Sequence, residues 1–181
     1  MSREVKEFLK EIISIIVIAF ILAMILRTFV IEGRIIPTGS MLPTIQLKDR
    51  VMVNKYIYRF KDVERGDIVV FDPPEALHTN QDYIKRVIGL PGDVVEMKNG
   101  KVYINDRPLS EPYLAEALNY EYGPVEVPEG CLLVLGDNRN HSFDSHYWNA
   151  WLTQDRLKGK AFLTYWPYNH IKLLQREVSF E

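Results

Sequence analysis

The chain reads VVEMKNGKVYI over residues 94–104, and this stretch is its clearest β-hairpin. Two short runs rich in β-branched residues flank Asn99-Gly100, a residue pair preferred at the tip of a two-residue hairpin turn. Further short apolar runs, separated by glycine and proline, lie at residues 50–58, 68–71, 83–88, 131–135 and 161–166. Strands this short predict a mainly β protein with one compact all-β domain rather than repeated β-α-β units. Residues 113–122 and 150–157 each predict a helical turn.

An apolar segment precedes the β region. Residues 12–26 are apolar except for Ser14, and residues 28–31 extend the run beyond Arg27. About 20 helical residues are enough to cross the hydrocarbon core of a bilayer, which is roughly 30 Å thick. We therefore expect a single N-terminal transmembrane helix within a flank and anchor of residues 1–32, followed by a β domain at residues 33–181.

Two other interpretations of the apolar segment are weaker. A buried core helix would present a polar face, which this run lacks. A cleavable secretory signal would need a small-x-small site after the run, and residues 27–32 offer none. Three cationic residues precede the run and two end or follow it, which slightly favours an N-terminus on the inside. We expect a permanent single-pass anchor in the cell membrane, with the β domain on the extracytoplasmic side.

Composition excludes several classes of function. The formal net charge is −2 over 181 residues, so the chain has no general affinity for nucleic acid. Cys131 is the single cysteine, so the chain forms no internal disulfide and has no zinc-ligand spacing. Hydrophobic residues make up 47% of the chain, which supports a packed core. We expect no metal and no cofactor, and a monomer.

The segment PTGSMLPT at residues 37–44 is a candidate nucleophile loop. Two prolines stiffen it, and Gly39 gives the backbone freedom immediately before Ser40. Such a loop can expose a hydroxyl and direct backbone N–H groups to one point, as a nucleophile beside an oxyanion site requires. The pattern alone favours an ordinary turn.

Residues 83–88, YIKRVI, place two cations in an apolar strand. Alternation directs Tyr83, Lys85 and Val87 to one face and the other three residues to the opposite face. Arginine does not lose its proton, whereas burial lowers the pKa of a lysine and can make it a neutral base. Taken without the other segments, the pattern favours the alternative, an edge strand that carries protective charges.

The loop at residues 136–148, GDNRNHSFDSHYW, combines polar, charged and aromatic side chains. A solvated loop often has such a composition. Its three aromatic residues would bury part of it, however, and buried polar groups need partners. It is therefore a candidate for the residues that orient a base.

Four segments in this order resemble the conserved boxes of the bacterial type I signal peptidase family. They are PTGSMLPT at residues 37–44, GDIVVF at 66–71, YIKRVIGLPGD at 83–93 and GDNRNHSFDS at 136–145. One box could arise by chance, but four in order after an N-terminal apolar segment are specific. The resemblance covers nearly the whole chain.

Taken position by position, the resemblance implies a Ser–Lys dyad with Ser40 as the nucleophile and Lys85 as the general base. Thr38 matches the residue whose hydroxyl completes the oxyanion hole with the Ser40 N–H. Ser142 matches the serine that orients the lysine, and Asp144 matches an acid with a supporting role. Many members have arginine two residues after this acid, where the present chain has His146. A pH-sensitive Asp144–His146 pair is one replacement for the usual Asp–Arg pair, and the sequence leaves the roles of both residues open.

The resemblance also implies a reaction and its partners. A serine endopeptidase of this family, without cofactor, removes signal peptides from exported preproteins after Ala-x-Ala-like sites through an acyl-enzyme. Its partners would be signal peptides and the lipid bilayer. An extended substrate would bind by strand addition to an open β edge.

Three rival functions remain. A self-cleaving repressor-type protease shares the Ser–Lys dyad, but it is soluble and needs a cleavage site within its own chain. A Ser–His–Asp protease would use His141 or His146 and would resemble the archaeal and reticulum signal peptidases, which have histidine at the position of Lys85. A membrane-tethered β binding module would keep its function after Ser40→Ala.

Overall fold

The computed structural model describes residues 3–25, 27 and 30–181. Within them, helix α1 (Arg3–Ile25) precedes thirteen strands, which confirms the predicted mainly β fold. The strands are β1 (Ile31–Ile35), β2 (Arg50–Asn54), β3 (Ile68–Phe71), β4 (Tyr83–Gly89), β5 (Val94–Lys98), β6 (Lys101–Ile104), β7 (Arg107–Ser110), β8 (Tyr122–Glu126), β9 (Cys131–Leu135), β10 (Leu152–Thr153), β11 (Leu157–Trp166), β12 (Lys172–Leu173) and β13 (Ser179–Phe180).

The first sheet is antiparallel and has the order β1-β2-β11-β3-β4-β9-β10, with β12 paired to β11. Strand β11 lies between β2 and β3, so a late segment of the chain joins two early ones. Strand β4 lies between β3 and β9. The alternative that residues 83–88 form an edge strand is therefore wrong.

The second sheet is built around the hairpin that the sequence predicts. Its order is β13-β7-β6-β5-β8, and β5 pairs with β6 from Val95↔Ile104 to Lys98↔Lys101. Asn99 and Gly100 at the tip have φ values of 52° and 76°. Such a turn needs positive φ at both central positions, which asparagine and glycine tolerate best.

Apolar residues from the two faces of the first sheet form separate cores. One core joins Ile84 and Val70 to Met41 and Ile45 from the loop between β1 and β2. The other joins Phe71 and its neighbours on the opposite face to Trp148 and Leu152. A third core lies against the second sheet. The loop that carries Ser40 is therefore packed into the protein.

Helix α1 differs from the predicted transmembrane helix. Its first three turns carry charged side chains, and its apolar residues 12–25 give only about 21 Å of helix at 1.5 Å per residue. A bilayer core needs roughly 30 Å. Within residues 3–25, 27 and 30–181, no helix is long and apolar enough to cross a membrane. The rest of the predicted segment, Leu26, Thr28 and Phe29, lies outside the described residues.

The β body begins at Ile31, where β1 starts to pair with β2. The predicted division after residue 32 therefore falls inside a strand. The division into an N-terminal unit and a catalytic unit stays a proposal.

Candidate active site

Ser40 lies in the loop between β1 and β2, which backbone hydrogen bonds close at its base. The Ile36 N–H donates to the Asp49 carbonyl at 2.9 Å, and the Lys48 N–H donates to the Ile36 carbonyl at 2.8 Å. Met41 is fully buried next to Ser40, which is itself 8% exposed. The segment is thus a turn, as one interpretation predicts, but a turn fixed by core packing.

Lys85 reaches Ser40 from β4, an interior strand of the first sheet. Its Nζ donates a hydrogen bond to Ser40 Oγ at 2.7 Å, and the lysine is 5% exposed. The Tyr83 ring, two residues earlier on the same face, has its centroid 5.7 Å from Nζ. The structure therefore brings together the two residues that the sequence predicts as nucleophile and base.

The environment of Lys85 favours its neutral form. Burial lowers the pKa of the amine from 10.5 to about 8, although the negative charges of Asp144 and Asp137 act in the opposite direction. Burial has this sign because a charged ammonium loses its hydration. An amine with such a pKa is a competent general base near neutral pH.

The neighbouring cation, Arg86, points to the opposite face of β4 and serves a different purpose. It is fully buried and forms two bonds to the Asp137 carboxylate, at 2.9 and 2.7 Å. Its guanidinium also donates to the Gly66 and Gln175 carbonyls at 3.1 Å and lies 3.8 Å from the Tyr113 ring centroid. Arg86 thereby fixes the strand that carries the lysine.

Asn138 clamps the nucleophile loop from the opposite side, a role that sequence reasoning missed. Its backbone N–H donates to the Ser40 carbonyl at 3.0 Å, and its side-chain Nδ2 donates to the Gly39 carbonyl at 3.1 Å. The only sequence signal is its place in the GDNR segment. The clamp joins the loop at residues 136–145 directly to the candidate nucleophile.

Gly136 permits this close approach. A Cβ atom at this position would clash with Ser142 Oγ and with the Ser40 carbonyl oxygen. Glycine is thus required by space and not by backbone conformation, since no positive φ occurs at this residue.

Thr38 and Ser142 have different placements. Thr38 Oγ1 lies 3.4 Å from Ser40 Oγ, so the two hydroxyls can share a hydrogen bond. Ser142 is buried, and its Oγ has no hydrogen-bond partner within the described residues. The predicted contact from Ser142 to the lysine is therefore not made in this structure.

Asp144 is fully buried and fixed from two sides. Its Oδ2 accepts the Gly136 N–H at 2.8 Å, and its Oδ1 lies 2.6 Å from His146 Nδ1. The predicted Asp144–His146 pair is present. The carboxylate joins the histidine to the glycine that supports Ser40.

A cavity of about 450 Å³ opens beside the dyad. Its walls come from the nucleophile loop, from the start of β4 and from the loop after β9, including Asn138, His141 and Phe143. In the described structure, β4 pairs with β9 from Arg86 onward, so Tyr83 has a β partner only on the β3 side. An extended peptide could occupy the vacant side.

The geometry argues against a histidine base. The His141 side chain is 75% exposed and lies 3.9 Å from Glu116. The His146 Nε2 atom is buried without a hydrogen-bond partner among the described residues, and its Nδ1 faces Asp144. The Ser40 hydroxyl is instead bonded to Lys85.

The chain is similar to one family of known proteins. The family model "Signal peptidase, peptidase S26" matches residues 9–166. A probable signal peptidase I-2 from Synechocystis sp. is 48% identical over 174 residues, which covers 94% of this chain and 79% of the relative. A signal peptidase I from Bacillus licheniformis is 38% identical over 181 residues, with coverage of 94% and 96%.

Two further matches extend the range of similar proteins. The thylakoidal processing peptidase 1 of Arabidopsis thaliana chloroplasts is 39% identical over 157 residues, 82% of this chain and 46% of that protein. A crystal structure of a signal peptidase I from Enterococcus faecalis is 35% identical, covers 55% of this chain and 97% of its own, and has a TM-score of 0.48.

Proposed function

Because the chain belongs to the signal peptidase family, peptidase S26, and is a peptidase that removes signal peptides from preproteins, we propose that it does so with a Ser40–Lys85 dyad. The main support for this proposal is the buried hydrogen bond of 2.7 Å from Lys85 Nζ to Ser40 Oγ. Ser40 is the nucleophile, and an acyl-enzyme on its Oγ is the intermediate.

The lysine acts as the base in its neutral form. It takes the Ser40 proton as Oγ attacks the scissile carbonyl, and the resulting ammonium then protonates the leaving amine. Neutral again, Lys85 activates the water that hydrolyses the ester. Its pKa of about 8 supports this cycle, because both protonation states are accessible near neutral pH.

The remaining site residues stabilise charge and fix positions. Thr38 Oγ1, at 3.4 Å from the nucleophile, donates to the oxyanion together with the Ser40 N–H. The Ser142 hydroxyl lies against the same point as the Ser40 carbonyl, since both would contact a Cβ at Gly136. Its proposed role, the orientation of Lys85, rests on the family resemblance, since its Oγ makes no hydrogen bond among the described residues.

The substrate binds as an additional strand. The vacant side of β4 at Tyr83 and the nucleophile loop both line the cavity, so a peptide between them would present its carbonyl to Ser40. Small side chains at the first and third positions before the cut are selected because larger ones would not fit the shallow subsites. An Ala-x-Ala motif meets this requirement.

The lipid bilayer is the second proposed partner. Apolar side chains along α1 are exposed, among them Phe8 at 62% and Phe20 at 64%. A second exposed group, Ile35, Trp166 and Ile171, lies at the base of the nucleophile loop, because Ile35 and Trp166 both pair with Arg50. Both surfaces suit contact with lipid. An extracytoplasmic position of the β body stays a prediction.

Flotation with phospholipid vesicles tests the second partner. The full chain should float with the vesicles, and Trp166→Ser with Ile171→Ser should weaken this binding. Val94→Ser, an exposed apolar position on the second sheet, is the matched control and should bind like the wild type. Equal binding by both variants would contradict the proposed lipid surface beside the nucleophile loop.

Cleavage of a preprotein that carries Ala-x-Ala tests the enzymatic proposal. The wild-type chain in detergent should cut after the second alanine, which mass spectrometry of the new N-terminus identifies. Lys85→Ala and Ser40→Ala should each lose several orders of magnitude in rate. Lys98→Ala, an exposed lysine on the second sheet, should cut at the wild-type rate. Cleavage by folded Lys85→Ala would exclude the lysine as the base.

A further inference from the structure

The Asp144 carboxylate is buried next to the dyad and needs compensation of its charge. Its side chain is fully buried, and its two hydrogen bonds run to the Gly136 N–H and to His146 Nδ1. An ionised carboxylate without water is costly unless it is paired and hydrogen-bonded. The backbone N–H supplies only a partial charge, so His146 is the group able to supply a full one.

The two buried arginines near this loop are already paired. Arg86 is bonded twice to Asp137, and Arg139 is bonded twice to Glu111, at 2.7 and 2.5 Å. Among the described residues, His146 is the side chain able to carry a positive charge that contacts the Asp144 carboxylate. Compensation of that charge thus depends on one imidazole.

The His146 ring is held in the orientation that this contact requires. It stacks on Tyr120, with a centroid distance of 4.1 Å and an interplanar angle of 6°, and its centroid lies 4.1 Å from that of Tyr147. Tyr122 meets it edge-on at 6.5 Å. Its side chain is 6% exposed, so the neighbouring rings keep Nδ1 directed at Asp144.

The charge of Asp144 acts on the general base. It is the largest electrostatic influence that raises the pKa of Lys85, against the stronger effect of burial. A neutral amine is the form that accepts the Ser40 proton. An unbalanced Asp144 carboxylate would therefore hold Lys85 in the wrong state, and a positive imidazole 2.6 Å from it would oppose this effect.

We propose that His146 is a positioning residue for the dyad, which fixes the Asp144 carboxylate and balances its charge so that Lys85 can act as a neutral base. The inference rests on the proposed function of Lys85. The groups that face Lys85 are Ser40, Tyr83, Asp137 and Asp144, and those that face His146 are Asp144, Tyr120, Tyr122 and Tyr147.

The test compares two substitutions that separate the hydrogen bond from the charge. His146→Gln keeps a donor but carries no charge, whereas His146→Arg keeps a permanent positive charge. The rising limb of kcat/KM against pH reports the base of the free enzyme. We expect His146→Gln to move this limb to higher pH by about one unit, which is about a tenfold loss of kcat/KM below the limb. His146→Arg should leave the limb at or below its wild-type position.

His170→Gln is the matched control. His170 Nδ1 lies 2.7 Å from the buried carboxylate of Asp49, on the other side of the nucleophile loop, and neither group is among those that face Lys85. This variant should keep the wild-type limb. A limb unchanged in folded His146→Gln, or shifted equally by glutamine and arginine, would overturn the proposal.

A second readout does not depend on cleavage. Titration of the Lys85 side chain by NMR, with carbon-13 at Cε, should give a higher pKa in His146→Gln than in the wild-type chain. Identical titrations would overturn the positioning role even if the variants do not cleave. If the wild-type chain does not cleave, but the Lys85 pKa is still higher in His146→Gln than in the wild type, the proposed function alone is contradicted.

Discussion

At the scale of single residues, we expect Lys85, the proposed general base, to set the pH dependence of the reaction. Burial lowers the pKa of its amine to about 8, so the fraction of neutral base rises about tenfold per unit of pH below that value. We therefore expect kcat/KM to rise with pH through about 8 and to level off above it. A pH–rate profile measures this limb. A limb near the pKa of an ordinary lysine, 10.5, would show that burial does not tune the base.

Thr38 permits a test of the proposed oxyanion site. Thr38→Val keeps the shape of the side chain but removes the hydroxyl that lies 3.4 Å from Ser40 Oγ. Loss of one oxyanion donor costs about 10²–10³ in kcat. We expect a loss of this size with little change in KM, measured by steady-state cleavage, and recovery of most activity in Thr38→Ser. A rise in KM with kcat unchanged would instead assign Thr38 to substrate binding.

Sequence reasoning found some site residues and missed others for physical reasons. The burial of Lys85 follows from its apolar strand, since alternation alone places it with Tyr83 and Val87. The bond between Lys85 and Ser40 joins residues far apart in the chain, and only the resemblance to known proteins predicted it. The clamp by Asn138 depends on backbone atoms of another loop, for which the sequence has no signal.

At the scale of secondary-structure elements, strand β4 depends on the buried ion pair of Arg86 and Asp137. Arg86→Met would leave the Asp137 carboxylate buried without its partner, and breaking such a pair costs about 3–5 kcal/mol of unfolding free energy. The double variant with Asp137→Leu should recover much of this loss, because an apolar pair replaces a desolvated ionic one. Urea unfolding followed by circular dichroism measures both.

An exposed ion pair is the control for this experiment. Lys101 bonds to Glu181 at the surface, where its side chain is 48% exposed. Lys101→Met should leave the unfolding midpoint almost unchanged. Equal losses at both sites would show that burial of the Arg86–Asp137 pair adds nothing to its effect on stability.

Elements were predictable from local patterns only where these patterns were strong. The β5–β6 hairpin was predicted because Asn99-Gly100 fixes its turn. Of the two predicted helical turns, the one at residues 150–157 contains a short 3-10 helix at Gln154–Arg156, whereas the one at 113–122 is wrong because that segment is a loop. In that loop, Tyr113 packs on Arg86, a tertiary contact that overrides local preference.

At the scale of the whole molecule, residues 172–181 bind the two sheets together. Strand β12 pairs with β11 in the first sheet, and β13 pairs with β7 in the second. Between them, the Gln175 carbonyl accepts a hydrogen bond from Arg86, and Arg176 Nε bonds to the buried Asp67 at 2.5 Å. The C-terminal segment therefore supports both the ion pair beneath the dyad and the packing of the sheets.

Removal of this segment should weaken the contact between the sheets. A chain that ends at Leu173 loses β13 and the hydrogen bonds of Gln175 and Arg176. We therefore expect a lower unfolding midpoint and faster amide exchange in β7, the strand that pairs with β13. Hydrogen exchange followed by mass spectrometry measures the effect strand by strand. Removal of Glu181 alone should change little. Exchange in β7 that stays at the wild-type rate would contradict a joining role.

The position of β11 between β2 and β3 has a consequence for folding during synthesis on the ribosome. A ribosome releases the chain from its N-terminus, so β2 and β3 emerge long before the strand that connects them. The nucleophile loop and β4 cannot adopt their final positions until residues 157–166 have left the ribosomal exit tunnel. The proposed catalytic activity should therefore arise only after β11 has emerged and paired with both strands.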